Sequence, residues 1–201
     1  MALNFANNNS LSAISALPSS VSGGSMNLIS TQTASGSANL SFTSGIDSTY
    51  KEYVFKYYNM HPATDDVFFQ VNFRDGGSAF DATKTTTAFF AFHAEDDSAQ
   101  DLSYKASRDL AQSTAYQPLS LDSIGNDNDQ SCSGTLHLFD PSSTTFVKHF
   151  MARTNHIADF DYTFDNYVAG YCNVTTAIDG VDFKMSSGNI DSGVIKLYGI
   201  S

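Results

Sequence analysis

Acidic side chains gather in two short stretches of the sequence, residues 95–97 and 126–129. Carboxylate and amide oxygens are the ligands that Ca²⁺ prefers, so the second stretch makes Asp127 and Asp129 candidate calcium ligands. An EF-hand loop needs a glutamate at its twelfth position, and the twelfth residue counted from Asp127 is Leu138. A solvated acidic loop is therefore the preferred interpretation, and a calcium site is the alternative.

Two pairs of aspartates have the residue type that glycoside hydrolysis requires: Asp161 with Asp165, and Asp179 with Asp182. A retaining glycosidase needs two carboxyl groups about 5 Å apart. The usual companion of such a pair is a groove with aromatic platforms, and this chain contains no Trp. Catalysis is therefore the less favoured interpretation, while sugar binding through exposed tyrosines and aspartates stays open.

The other catalytic and metal-binding motifs lack the partners that they need. The chain contains no G-x-S-x-G elbow, no P-loop and no Gly-rich dinucleotide turn. Cys132 and Cys172 are too far apart in sequence for a CxxC metal motif. Two free buried thiols are the preferred interpretation, and a disulfide is the alternative if their strands are neighbours. The sequence therefore predicts a protein without enzymatic activity and without a cofactor.

The charge of the chain limits its partners. It has 21 acidic and 10 basic residues, a formal net charge of −11 and a pI near 4.5. Binding to nucleic acid or to anionic membranes depends on clustered Lys and Arg. No apolar run approaches the roughly 18 residues that span a bilayer. We therefore expect neither nucleic-acid binding nor membrane insertion. Hydrophobic residues make up 41% of the chain, which is enough to form a globular core.

Alternation of apolar and polar side chains predicts β-strands from residue 25 to the end. It is clearest where Val67, Phe69, Val71 and Phe73 alternate with Gln70 and Asn72. Further predicted strands are residues 25–33, 37–43, 53–57, 85–93, 133–139, 144–153, 160–164, 166–172, 181–185 and 193–199. The polar stretch 98–116 is predicted as a long loop with at most one helical turn. Many short strands separated by turn clusters predict a single all-β domain, a two-sheet antiparallel sandwich, over residues 25–201.

The turn between the last two predicted strands is rich in residues that accept a positive φ. Residues 186–193 read Ser-Ser-Gly-Asn-Ile-Asp-Ser-Gly, and Gly and Asn adopt left-handed backbone conformations at little cost. We expect this turn to fold residues 194–198 back antiparallel on residues 181–185. The C-terminal strand would then lie inside a sheet.

Residues 1–24 form a separate N-terminal arm. They are rich in Ser, Asn, Ala and Gly and carry no charged side chain. Leu11, Ile14 and Leu17 are spaced three apart, which fits one helical turn or an apolar docking strip. The arm is either a flexible tail or an assembly arm whose three apolar residues dock on a neighbouring subunit, and the sequence leaves both open.

The C-terminal part of the chain carries a recognisable combination of motifs. Residues 183–199 follow the pattern F-x-x-S-S-G-N-I-x-S-G-x-I-K-L-Y-G. It is preceded by 133–143, Ser-Gly-Thr-Leu-His-Leu-Phe-Asp-Pro-Ser-Ser, and by 50–53 and 59–65, which read Tyr-Lys-Glu-Tyr and Asn-Met-His-Pro-Ala-Thr-Asp. In this combination the chain resembles virion structural proteins of tailed bacteriophages, those of marine phages in particular. The resemblance extends from about residue 20 to the end.

This resemblance implies a jelly-roll fold and a structural role in a phage particle. The expected role is a tail or tail-fibre-associated module for assembly and host-surface attachment, located in the virion and assembled in the host cytoplasm. A capsid decoration or head-fibre protein is the alternative within the same family. A carbohydrate-binding or glycan-cleaving module is the alternative of a different class. The implied partners are other virion proteins, copies of the chain in a homotrimer by analogy with phage fibres, and a host-surface glycan.

Overall fold

The computed structural model describes residues 25–201, and the arm with Leu11, Ile14 and Leu17 lies outside the described residues. Its strands are β1 (Met26–Ser37), β2 (Leu40–Phe42), β3 (Glu52–Pro62), β4 (Phe69–Arg74), β5 (Lys84–Ala94), β6 (Gln100–Tyr104), β7 (Gln117–Pro118), β8 (Cys132–Phe139), β9 (Lys148–Ile157), β10 (Tyr162–Cys172), β11 (Gly180–Met185) and β12 (Ile190–Ile200). No helix occurs in residues 25–201, so this part of the chain has no helix able to cross a membrane. The predicted all-β class is confirmed.

The strands form two antiparallel sheets. The large sheet has eight strands in the order β1-β12-β3-β8-β9-β10-β5-β6, and the small sheet has four in the order β2-β11-β4-β7. Four pairs are nested along the chain: β1 with β12, β2 with β11, β3 with β8 and β4 with β7. Strands β9, β10, β5 and β6 extend the large sheet beyond this nested set. The predicted two-sheet β-sandwich is confirmed.

Aromatic side chains fill the space between the two sheets. Phe55 of β3 lies 5.4 Å from Phe183 of β11, and Tyr57 lies 5.2 Å from Phe69 of β4, measured between ring centroids. Phe69 and Phe183 are themselves stacked. All of these rings are fully buried or nearly so. The two-residue period of β3 therefore directs alternate side chains, such as Phe55 and Tyr57, into the core between the two sheets.

The expected hairpin of the last two strands is wrong. β11 lies between β2 and β4 in the small sheet, whereas β12 lies between β1 and β3 in the large sheet. Ile190, assigned to the turn, is fully buried and pairs with Pro62, so β12 begins earlier than predicted. The remaining four-residue connection, 186–189, crosses from one sheet to the other. Gly188 has a φ of 67° there, and a Cβ at this position would lie 2.1 Å from Thr64 Oγ1.

The predicted long loop over 98–116 is also partly wrong. Gln100–Tyr104 forms β6, which pairs with β5 at the edge of the large sheet, with Leu102 opposite Ala91 and Tyr104 opposite Phe89. The remaining residues up to Tyr116 contain no helix. Only two apolar residues alternate in β6, and both are exposed. A strand that buries so little apolar surface leaves a weak period in the sequence.

The two cysteines are free and buried on strands that are not neighbours. Cys132 lies opposite His156 and Cys172 lies opposite Lys148, and these two residues are at opposite ends of β9. Eight residues of extended strand span about 26 Å, whereas a disulfide requires Cα atoms within about 7 Å. The alternative of two free buried thiols is therefore confirmed.

Two fully buried lysines flank Cys172 in the large sheet. Lys84 and Lys148 are the cross-strand neighbours of Cys172 on β5 and β9. Lys84 Nζ donates to the Ala82 carbonyl at 3.0 Å, and Lys148 Nζ donates to the Val174 carbonyl at 2.9 Å. Burial lowers the pKa of both lysines, that of Lys84 to about 8. The charged Lys84 therefore costs stability at neutral pH.

We expect Lys84→Met to stabilise the protein by about 1–3 kcal/mol at pH 7, because it removes a buried charge and keeps the side-chain length. The gain should shrink above pH 8, since Lys84 loses its proton in the folded protein there. Urea denaturation at pH 7 and pH 10 measures both effects. Lys51→Met, at an 80% exposed side chain, is the control and should change stability by less than about 0.5 kcal/mol. A Lys84→Met variant less stable than the native chain at pH 7 would contradict this assignment.

Candidate binding surface

The predicted calcium ligands lie in a turn before β8. Asp127 and Asp129 are exposed, and the Asp127 carbonyl accepts a hydrogen bond from the Gln130 amide at 2.9 Å. Within residues 25–201 no group of three or more His, Cys, Asp or Glu side chains is placed to hold a metal ion. Calcium binding by this pair stays the alternative to a solvated acidic loop. A calcium titration of the melting temperature tests it, and no shift at millimolar calcium would end it.

The first aspartate pair consists of residues in different surroundings. Asp161 lies in the turn before β10 with a φ of 62°. Asp165 lies on β10, where Arg153 Nε donates to its Oδ1 at 2.9 Å and Arg153 Nη2 donates to its Oδ2 at 2.7 Å. These hydrogen bonds from Arg153 lower the pKa of Asp165. Asp165 is thus a carboxylate held ionised by a two-bond ion pair.

The second aspartate pair is engaged in structural contacts. Asp179 accepts from Arg74 Nε at 2.7 Å. Asp182 is fully buried and accepts hydrogen bonds from the side chains of Ser41, Asn39 and Tyr116. Its carboxylate therefore joins β2, β11 and the segment before β7, with no exposed surface of its own.

A buried histidine lies on the inner side of the large sheet, which faces the core. His156 of β9 is 1% exposed, stacks on Phe164 and accepts a hydrogen bond from Asn166 Nδ2 at its Nδ1, 2.9 Å away. Burial lowers the pKa of His156 to about 4. The neutral ring is therefore the form that the fold accommodates.

Because His156 is buried in its neutral form, we expect the free energy of unfolding to fall in mild acid. The unfolded chain binds the proton near pH 6.5, whereas the folded protein resists it until about pH 4, so acid between these values favours unfolding. The full difference is about 3 kcal/mol. Urea denaturation from pH 7 to pH 4 should show a shallower pH dependence for His156→Met than for the native chain. His149→Gln, at an exposed position of the same strand, should keep the native slope. An unchanged slope in His156→Met would contradict this account.

The outer face of the large sheet, which points away from the small sheet, carries most of the exposed apolar side chains. Nine large apolar side chains of residues 25–201 are exposed. Two of them, Phe146 and Phe160, lie in turns. The other seven lie on strands of the large sheet, and cross-strand pairing places them on the outer face: Met26, Leu28, Tyr58, Phe89, Leu102, Tyr104 and Met151. Among these residues Phe89 and Tyr104 adjoin directly on neighbouring strands, which makes this part of the face a candidate contact surface.

A row of stacked groups crosses four strands of the outer face. The guanidinium of Arg153 lies 5.1 Å from the centroid of the Tyr167 ring, which stacks on Phe89 at 4.8 Å with an interplanar angle of 2°. Tyr104 lies opposite Phe89 on β6 and hydrogen-bonds Asp109. Phe89 is 40% exposed and Tyr104 is 54% exposed. This row offers aromatic surface next to an ion pair, a combination suited to noncovalent binding.

A shallow apolar depression lies beside this row. Its volume is about 530 Å³, and Met151, Ala169 and Tyr171 are among the residues that line it. Ala169 lies directly between Met151 and Thr87 on the neighbouring strands. Since Ala169 contributes only a methyl group, the taller side chains around it leave a space that accepts an apolar group.

Two lysines provide the positive charge of the outer face near β1. Lys56 and Lys196 lie directly opposite each other on β3 and β12, and neither is in an ion pair within residues 25–201. Each ammonium lies 6.0 Å from a tyrosine ring, Lys56 over Tyr198 and Lys196 over Tyr58. Like charges directly opposite destabilise a sheet, so an acidic group of a partner would relieve this pair.

Sequence reasoning did not identify the outer face as a site. The available signal was the run Ala88-Phe-Phe-Ala-Phe92, in which consecutive aromatics must point to opposite faces of β5. Phe90 enters the core and Phe89 remains exposed. Comparison with protein-family models and with curated proteins finds no match to this chain. Within residues 25–201, the outer face of the large sheet is the candidate binding surface.

Proposed function

We propose that this chain is a non-enzymatic virion structural protein of a tailed phage, a tail or tail-fibre-associated module for assembly and host-surface attachment. The observation that carries the proposal is the outer face of the large sheet, on which seven large apolar side chains are exposed within residues 25–201. Apolar side chains that adjoin on neighbouring strands of this face, such as Phe89 and Tyr104, support a contact surface. The contacts of Asp165, Asp179 and Asp182 support a structural role for these carboxylates.

The jelly-roll assignment is part of this proposal. Nested pairing of β1 with β12, β2 with β11, β3 with β8 and β4 with β7 supports it, since two Greek keys in two sheets pair their strands in this manner. The motif at 183–199 contributes the crossing between the sheets and most of β12. The residues of this motif thus link the two sheets and supply the strand that pairs β1 with β3.

The proposed role in a virion also implies partners for this chain. We propose contacts with other virion proteins and with copies of the chain, in a homotrimer by analogy with phage fibres. A capsid decoration or head-fibre position is the second candidate within this class. The acidic surface keeps many copies apart in solution, and salt screening over about 8 Å permits close packing in a particle.

Purified particles test the proposal. After density-gradient purification, quantitative mass spectrometry should find the chain in the particle fraction at a constant copy number, and a trimer predicts a copy number divisible by three. A chain found only among unassembled proteins of the lysate would contradict a virion role.

Glycan binding or cleavage is the candidate of a different class. The Phe89 and Tyr104 rings beside the Arg153–Asp165 ion pair favour it, because sugars stack on aromatic surface and hydrogen-bond charged groups. Incubation with host-surface polysaccharide separates the two activities. If the protein binds the polysaccharide and the polymer keeps its length, the result supports glycan binding without cleavage. Cleavage that is lost in Asp165→Asn would support an enzyme, and no cleavage by the native chain would remove that candidate.

A further inference from the structure

Strand β1 is the longest edge strand of the sandwich. Within residues 25–201 the two sheets end on four edge strands, β1 and β6 in the large sheet and β2 and β7 in the small sheet. β1 has 12 residues, whereas β6 has five, β2 has three and β7 has two. An edge strand presents backbone N–H and C=O groups with which a strand of another chain can pair. β1 therefore offers the longest surface of this kind.

The other three edges carry features that prevent pairing with another chain, and β1 does not. Proteins protect an edge by keeping its strand short or by placing a charged residue or Pro in it. β6 is short and contains Asp101, β7 contains Pro118, and β2 is very short. Residues 26–37 contain neither a charged residue nor Pro, and one register shift, between Leu28 and Ser30, is the only irregularity near the start of β1. This contrast indicates that β1 is available for pairing.

The backbone of β1 is paired on one side only. Its partner strand is β12, and no backbone hydrogen bond joins Met26–Ser37 to any other segment of residues 25–201. In an antiparallel ladder, successive residues direct their N–H and C=O groups alternately to the two sides of the strand. About half of the residues of β1 therefore direct these groups away from β12. A strand added at this side would satisfy them.

The charges around β1 favour a second copy of the same chain as the partner. Two proteins of net charge −11 repel each other, so their contact must avoid acidic groups. β1 carries no charge, and Lys196 of β12 lies opposite Thr31 and also opposite Lys56 of β3. The middle of this edge is therefore neutral, with positive charge beside it. Thr31 and Thr33 are exposed there, and cross-strand threonine pairs stabilise a sheet.

We propose that two copies of the chain associate in solution by antiparallel pairing of β1 with β1, which joins their large sheets into one continuous sheet. The contact is isologous, because the same residues of each copy form it and a twofold axis relates them. A second copy also supplies an edge of the same length, so the whole strand can pair. The inference concerns the free protein and does not rest on a role in a phage particle.

Sedimentation equilibrium of the full chain, from micromolar to submillimolar concentration, tests this pairing. The native protein should reach the mass of two copies or of an even multiple of two. Thr33→Lys should raise the dissociation constant roughly tenfold, because it places a charge from each copy in the paired edges although it lowers the net negative charge. Thr87→Lys is the matched control, since Thr87 is exposed on β5 inside the large sheet, and it should leave the dissociation constant unchanged.

Hydrogen exchange read by mass spectrometry provides a second measurement. Peptides from β1 should exchange more slowly at high than at low protein concentration, whereas peptides from the other edge, β6, should not change. A monomer at every concentration, or an odd number of copies, would overturn the proposal. Association that Thr87→Lys weakens and Thr33→Lys does not would place the contact on the outer face and overturn it as well. Exchange in β1 that is independent of concentration would have the same consequence.

Discussion

A chain that ends at Ile190 is expected to be unfolded in dilute buffer. This truncation removes most of β12, the strand that lies between β1 and β3 in the large sheet. It deletes the buried side chains of Ile195 and Leu197, each worth about 2–5 kcal/mol. It also leaves β3 without a partner on one side and the edge strand β1 without its only partner strand. Whole domains are stable by only about 5–15 kcal/mol. Circular dichroism and the dispersion of amide NMR signals measure the loss of fold.

Two full-length variants show whether the loss comes from burial along β12. Leu197→Ala should lower the free energy of unfolding by about 2–5 kcal/mol, because Leu197 is fully buried. Lys196→Ala, at the adjacent outward-facing position, should change it by less than about 1 kcal/mol. A soluble 1–190 chain with native-like NMR dispersion would contradict the central place of β12.

The second large effect is expected from Asp182→Ala. Because Asp182 is fully buried and accepts hydrogen bonds from Ser41, Asn39 and Tyr116, its removal leaves three polar side chains without their acceptor. We expect the free energy of unfolding to fall by about 3–5 kcal/mol. Urea denaturation at pH 7 measures it.

The control for Asp182 is Asp96→Ala, an exposed turn carboxylate whose loss should cost less than about 1 kcal/mol. Asp182→Asn, which keeps the shape and one acceptor oxygen, should fall between the two. An Asp182→Ala variant as stable as the native chain would show that the buried carboxylate does not hold β2 and β11 together.

Sequence periodicity predicted most strands because burial of one sheet face leaves a two-residue pattern. Val67 to Phe73 and Tyr53 to Tyr57 show this pattern, and their apolar side chains are in the core. β6 was not predicted as a strand, because Leu102 and Tyr104 face solvent at the sheet edge and the residues around them are polar.

The partner of each strand could not be predicted from the pattern. Residues 181–185 and 194–198 both alternate, and a hairpin satisfies that alternation as well as two strands in opposite sheets do. What decides between them is whether Ile190 is buried, and this depends on its contact with distant β3. Hydrogen bonds such as Asp182 to Asn39 join residues 143 positions apart, which local sequence does not reveal.

The outer face illustrates the same limit for function. Its exposed residues come from β1, β3, β5, β6 and β9, and they share one face because β9, β10, β5 and β6 extend the large sheet past the nested strands. These apolar residues are visible in the sequence, but the sequence does not show that their strands place them on the same face of one sheet. Conversely, the conspicuous aspartates at 179 and 182 are engaged in internal contacts.

Antibody labelling of intact particles tests the central claim, that this chain is a structural component of a phage virion. Gold-labelled antibodies raised against the folded chain would be applied to purified particles and examined by electron microscopy. The proposed function predicts labels clustered on the tail or its fibres, and labels spread over the capsid would assign the decoration role instead. Particles that contain no label, while the same antibodies bind the free protein, would contradict a structural role in the virion.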